Sequence, residues 1–126
     1  MKEKQAKLSD RLQQALDARG LRPVDLVEQT DIPKSMVSYY LSGRSVPKAD
    51  RLYKIAQTLE VNEAWLMGYD VPMTRTEEQK KNDAVVDVVV KLRNDSDFLE
   101  VVSLLADLPA EQYASVKTLL TGLRQK

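Results

Sequence analysis

Residues 23–43 read PVDLVEQTDIPKSMVSYYLSG, and the fold turns on how this stretch is parsed. Pro23 suits the first position of a helix, where its missing N–H costs nothing. Val24, Leu26 and Val27 follow, and the helix is expected to end near Gln29 or Thr30. Asp31-Ile32-Pro33 reads as a turn, because a proline disfavours helical geometry in the residue before it. Met36, Val37, Tyr40 and Leu41 then recur at helical spacing, and Ser42-Gly43 stops that second helix. A helix of about seven residues, a turn of three or four and a helix of about nine is the spacing of a helix-turn-helix. Its two helices must cross through small or apolar side chains, and Val27, Ile32 and Val37 are placed to supply them.

The face of the second helix opposite its apolar stripe carries Lys34, Ser35, Ser38 and Tyr39. All four can hydrogen-bond and one is charged. A helix fits the major groove of a duplex, where each base pair displays its own pattern of donors and acceptors, so these four are the candidate base-reading residues. Phosphate contacts are expected from flanking loops and helix N-termini. Ser42, Arg44, Ser45 and Lys48 lie just past the second helix, and Arg22 stands before the first. Between Lys34 and Lys48 there are three cations and no acid, a local charge hidden by the global balance of 19 basic and 19 acidic residues.

The flanks extend the pattern. Leu8, Leu12, Ala15, Leu16 and Arg19 mark a preceding helix that Gly20 can terminate. Leu52, Ile55, Ala56 and Leu59 mark a helix from about Lys48 to Leu59. Asn62 caps a short helix with Ala64, Trp65, Leu66 and Met67 before Gly68. Trp65 and Tyr40 at these spacings are core residues rather than platforms for a base, and Tyr53 and Tyr69 are assigned to packing or surface. Five helices joined by such short turns make residues 1–70 a helix-turn-helix domain.

Composition narrows the possibilities further. The 126 residues contain no cysteine and no histidine, which excludes disulfides, thiolate or imidazole metal sites, Cys nucleophiles and His general bases. There is no phosphate-cradling glycine loop, no HExxH and no paired-carboxylate arrangement that stands out from ordinary surface acids, so an enzyme is the weakest reading and no catalytic residue, metal or cofactor is expected. No apolar run is long enough to span a membrane and the N-terminus lacks an apolar signal region, so a soluble, cytoplasmic protein is expected.

The stretch 20–73, GLRPVDLVEQTDIPKSMVSYYLSGRSVPKADRLYKIAQTLEVNEAWLMGYDVPM, resembles the XRE-type helix-turn-helix domain of phage repressors. Its end, VNEAWLMGYDVPM, is similar to the repressors of temperate phages of Gram-positive bacteria. The resemblance covers roughly residues 8 to 73, and rests on the turn, the YLSG ending, the proline that follows and the AWL-x-G closing helix. It implies an operator-binding dimer that represses transcription, with base-reading sites at Lys34, Ser35, Ser38 and Tyr39 and phosphate sites at Ser42, Arg44 and Lys48. Two departures stand out. Arg22-Pro23 occupies a place where the family often has a cap followed by a phosphate-holding Gln, and Pro33 replaces a Ser or Thr cap, losing its capping bond.

Beyond residue 70 the composition changes. Residues 71–76 open a polar stretch and are read as a linker; 77–126 are read as a helical oligomerisation region. AVVDVVVKL at 84–92 has the residues of a strand, yet Asp83, Asp87, Lys91 and Asn94 fall on one helical stripe, with Asp87 and Lys91 able to pair. One helix from Thr76 to Arg93 is therefore expected, followed by one capped by Ser96 and another opened by Pro109. These helices are apolar over more than one face. Burial against a second copy through Val85, Val89, Phe98, Val102, Leu105, Val116, Leu120 and Leu123 is the economical solution, giving a homodimer or higher oligomer. A two-fold dimer would also match half-sites ~34 Å apart. The stretch is too short and helical for the self-cleaving domain of larger repressors, and Ser103 and Lys117 fall on ordinary helical spacing. Release from DNA is therefore expected to need an antirepressor protein, degradation or a change of oligomer state. The expected class is thus all-α: a five-helix repressor-type domain, a short linker and a small helical oligomerisation module. The rivals are a host regulator or antitoxin using the same domain, and a protein-binding module whose helix-turn-helix does not contact DNA.

Overall fold

In the computed structural model, which describes residues 4–125, the helix-breaking signals fall where the chain turns. Helix α1 spans Leu8–Arg19, α2 Pro23–Thr30, α3 Lys34–Ser42, α4 Ala49–Leu59 and α5 Glu63–Leu66. Gly20 (φ 65°) and Gly43 (φ 81°) end α1 and α3 in the left-handed region that glycine enters without steric cost. Asn62 caps α5, its side-chain oxygen accepting from the N–H groups of Ala64 (2.8 Å) and Trp65 (3.4 Å). Helix α6 is Glu77–Asn94, α7 Ser96–Ala106 and α8 Tyr113–Arg124, with a 3-10 turn at Ala110–Gln112. The described residues are all-α, with isolated bridges and no sheet. No helix among them is long and apolar enough to cross a membrane.

The five-valine segment is helical, as its polar stripe requires. Thr76 and Gln79 cap α6 reciprocally: the Gln79 N–H donates to Thr76 Oγ1 and the Thr76 N–H to Gln79 Oε1, both at 3.0 Å. One cap differs from expectation. Asp95, not Ser96, caps α7, its carboxylate accepting from the Phe98 N–H at 3.0 Å. A charged acceptor at the positive end of a helix makes a stronger cap than a hydroxyl.

Two compact units result, one ending at Asp83 and the other beginning at Ala84. The first holds every buried apolar side chain among the described residues. Leu12, Leu16, Leu26, Ile55, Leu59 and Leu66 are fully enclosed, with Val37 and Tyr40 from α3 closing the same core. Arginines tie its helices together. Arg11 donates to the Trp65 carbonyl (3.1 Å) and lies 4.7 Å from the indole centroid. Arg19 Nε reaches the Leu59 carbonyl (2.7 Å) at the C-terminus of α4, where carbonyls lack helical partners. The segment before α1 is strapped to the end of α5, the Gln5 N–H donating to the Gly68 carbonyl at 2.8 Å. At Gly68 (φ 106°) a Cβ would run into the Ala6 carbonyl oxygen. Gly68→Ala is therefore expected to cost about 1–3 kcal/mol, read as a lower urea midpoint.

The segment expected to be a linker is drawn onto the first unit. Val71 and Met73 pack against the core, and the Asn62 N–H donates to the Met73 carbonyl at 2.8 Å. Arg75 is buried. Its Nε and Nη2 grip Asp83 at 2.8 and 2.7 Å, Nη1 donates to the Val61 carbonyl at 2.9 Å, and Nη2 also reaches Glu63 at 3.3 Å. The Tyr53 hydroxyl completes the cluster on Asp83 at 2.8 Å. These bonds fasten the first turns of α6 to α4 and α5, so the compact unit extends past residue 70. The Arg75 guanidinium holds the Asp83 carboxyl below its ordinary pKa, with help from the Tyr53 hydroxyl and against the effect of burial.

Candidate nucleic-acid interface

Helices α2 and α3 are joined by Asp31–Pro33 and cross through the expected residues: Ile32 and Val37 are buried, and Val27 packs against the same core. Thr30 steadies the turn, its hydroxyl donating to the Leu26 carbonyl (2.6 Å) and accepting from the Ile32 N–H (3.3 Å). Asp31 takes the left-handed conformation (φ 59°) between them. Pro33 supplies no side-chain cap to α3.

With Val37 and Tyr40 turned inward, the opposite face of α3 is fixed by the helical repeat. Lys34, Ser35, Ser38 and Tyr39 are all exposed there. Lys34 and Ser38 also border a depression of about 440 Å³ between α2 and α3, whose apolar lining includes Val24, Val27 and Leu41. Val24, named with Leu26 and Val27 among the apolar residues of this helix, is 41% exposed on this side.

The loop after α3 is pinned to the helix it leaves. The Tyr39 carbonyl accepts from the N–H groups of Gly43, Arg44 (3.0 Å) and Ser45 (3.3 Å), and from the Ser42 hydroxyl (3.2 Å). Ser42, Arg44 and Lys48 are exposed and Ser45 partly so. The Arg44 guanidinium lies over the Tyr39 ring, 5.4 Å from its centroid. Arg22 is engaged locally: its N–H donates to Asp25 at 2.8 Å and its guanidinium sits 3.4 Å from the same carboxylate. That backbone bond, more than the guanidinium, holds the Asp25 carboxyl below its ordinary range.

The residues expected to mediate self-association all belong to the second unit, and none of them is buried. Val102, Leu105, Val116 and Leu120 come together in one groove of about 520 Å³ between α7 and α8, bordered by Tyr113, Lys117 and Arg124. Val85, Val89, Phe98 and Leu123 lie outside it. The Lys91 ammonium sits 4.6 Å from the Phe98 ring centroid, a neighbour that the sequence reading of Phe98 did not include. Helix α7 carries acids and no base (Asp97, Glu100), whereas α8 carries bases and no acid (Lys117, Arg124).

The crossing of α2 and α3, with one face of α3 presented outward, defines the first unit as a helix-turn-helix domain. Residues 10–70 match the model of a family described as a helix-turn-helix domain. No curated protein matches the chain. Among solved structures, a transcriptional regulator from Listeria innocua is similar at 19% identity, with 96% of this chain and 95% of that one covered and a TM-score of 0.47.

Proposed function

We propose that the protein is a sequence-specific, double-stranded DNA-binding transcriptional repressor of the phage lysogeny type, working as a dimer on operator half-sites. The observation that carries this reading is the division of α3. Its apolar side chains complete the core while Lys34, Ser35, Ser38 and Tyr39 stand together in solvent. A helix that served packing alone would have no need for four adjacent hydrogen-bonding groups on an open face. In the groove they meet base edges, where hydroxyl and amine donors distinguish one pair from another. Ser42 at the end of α3 and Ser45 and Lys48 beyond it would follow the sugar-phosphate backbone, and Arg22 would approach it from the start of α2.

Dimerisation is assigned to the second unit. Its helices expose Val85, Leu99, Val101, Leu104, Leu119 and Leu123 to solvent, each with more than 45% of its surface open. Water disfavours so many exposed apolar side chains. The charge segregation between α7 and α8 suits a two-fold arrangement, in which the acidic helix of one copy meets the basic helix of the other. Release from the operator would then follow from loss of this association or from an antirepressor.

The test is binding to duplex DNA as a function of salt. Lys48→Ala is expected to weaken binding to every sequence and to lower the log–log salt slope by about one. Ser38→Ala is expected to change which sequence is preferred while leaving non-specific affinity unaltered. A wild-type protein that discriminates no duplex from any other would overturn the reading and favour a protein-binding role for the same face.

A further inference from the structure

We infer that Arg44 is a guanine-reading residue and that Tyr39 is the platform which positions it. The inference rests on the DNA-binding reading above and assigns one further specificity determinant to the same face. The resemblance drawn from the sequence puts Arg44 among the phosphate contacts, but its surroundings have a different character. A phosphate contact from a loop needs only a cation that can reach the backbone, a role that lysine also fills as a point charge. Arg44 is instead held at both of its ends by one residue of α3. Its backbone N–H donates to the Tyr39 carbonyl at 3.0 Å, and its guanidinium lies over the Tyr39 ring at 5.4 Å. The turn that allows this depends on Gly43, whose φ of 81° reverses the chain immediately after α3.

The consequence is directional. Tyr39 belongs to the exposed row of α3, one helical turn on from Ser35. A guanidinium resting on its ring is carried on the base-facing row of the helix. A guanidinium lying over a ring need not spend its N–H donors there, and its fork can still be offered to an acceptor. That fork matches guanine, whose O6 and N7 form adjacent acceptors in the major groove. Among the described residues no carboxylate pairs with Arg44, so the donors are not already committed. A guanidinium that rests on the ring before binding would lose less conformational freedom when it meets the base.

The experiment is binding-site selection from a random-sequence duplex pool by the full chain, comparing wild type with R44K, Y39L and Y39F. Wild type is expected to select one invariant guanine per half-site. R44K keeps the charge but loses the fork, and Y39L removes the ring. Both should reduce discrimination at that one position by about 5- to 100-fold while the other positions hold. Y39F keeps the ring and should retain the guanine. Replacing that guanine by 7-deazaguanine, which lacks N7, should weaken wild type and leave R44K unchanged. Both altered side chains are exposed, so the fold is not at stake. If R44K keeps the full preference, or if Y39L disturbs other positions and spares the guanine, the inference is overturned while DNA binding stands. If wild type enriches no sequence, the DNA-binding reading fails and the inference fails with it.

Discussion

Arg75→Ala is expected to destabilise the first unit by about 2–4 kcal/mol, within the range for removing one partner of a buried ion pair. The guanidinium is 3% exposed and satisfies Asp83 through two parallel bonds, with further bonds to the Val61 carbonyl and Glu63. Removing it leaves Asp83, whose side chain is 16% exposed, without its cation and the Val61 carbonyl without that donor. Glu63 is 33% exposed and can turn to water, so its share of the loss is small. Trp65 is the single tryptophan of the chain and lies in the core of this unit, so its fluorescence during urea unfolding reports the relevant transition. The effect should depend on pH with a definite sign. The folded-state pKa of Asp83 is depressed, so its contribution is fully present above the ordinary carboxylate range and is lost as pH falls through the depressed value. The gap between wild type and Arg75→Ala should therefore be largest near neutrality and narrow below about pH 4. Arg75→Lys keeps the charge but cannot make the bidentate grip, and should recover part of the loss. A gap of under about 0.5 kcal/mol, no larger than for an ordinary surface substitution, would show that the cluster does not fasten α6.

A fragment ending at Asp83 is expected to bind operator DNA at least about 100-fold more weakly than the full chain and to sediment as a monomer. The boundary matters: a fragment ending nearer residue 74 would lose Arg75 and Asp83 together and confuse loss of association with loss of the fold. Ending at Asp83 keeps the first compact unit and removes the apolar helices beyond it. The expected loss is that of two linked binding events becoming one, for which linkage commonly contributes 10²–10⁴-fold. Sedimentation and operator titration should change together. A monodisperse dimer of undiminished affinity would assign association to the first unit and leave the exposed valines and leucines of α6 to α8 without a role in it.

The helix-turn-helix was legible from residues 23–43 because each signal in it acts over a few residues. Pro23 and Pro33 restrict their own and neighbouring backbones, Gly43 permits a left-handed exit, and the spacing of Val37 and Tyr40 says which face of α3 turns inward. Once that inward face is known, the outward one follows from helical geometry, and so the exposed row of Lys34, Ser35, Ser38 and Tyr39 was within reach. Helix α6 was legible for the same reason, since its polar stripe has a period that a strand cannot satisfy. The cap of α7 was missed by one residue, because Asp95 and Ser96 are both good caps and only the backbone conformation separates them.

Tertiary structure alone decided the fate of Arg75 and Arg44. In the sequence Arg75 is one cation in a polar, charged stretch that reads as a tether, and nothing nearby marks it for burial. Its bonds to Val61 and Glu63, 14 and 12 residues away, form because the chain beyond α5 returns to the start of that helix, where the Asn62 N–H donates to the Met73 carbonyl. Arg44 follows Tyr39 by five residues, a spacing that no regular helix brings face to face, and the two meet because the chain doubles back at Gly43. Periodicity and capping are written in neighbouring residues and survive translation into sequence. Which exposed charge is recruited by a distant carbonyl, carboxylate or ring depends on where the packed helices place those partners, and that is settled only when the core has formed.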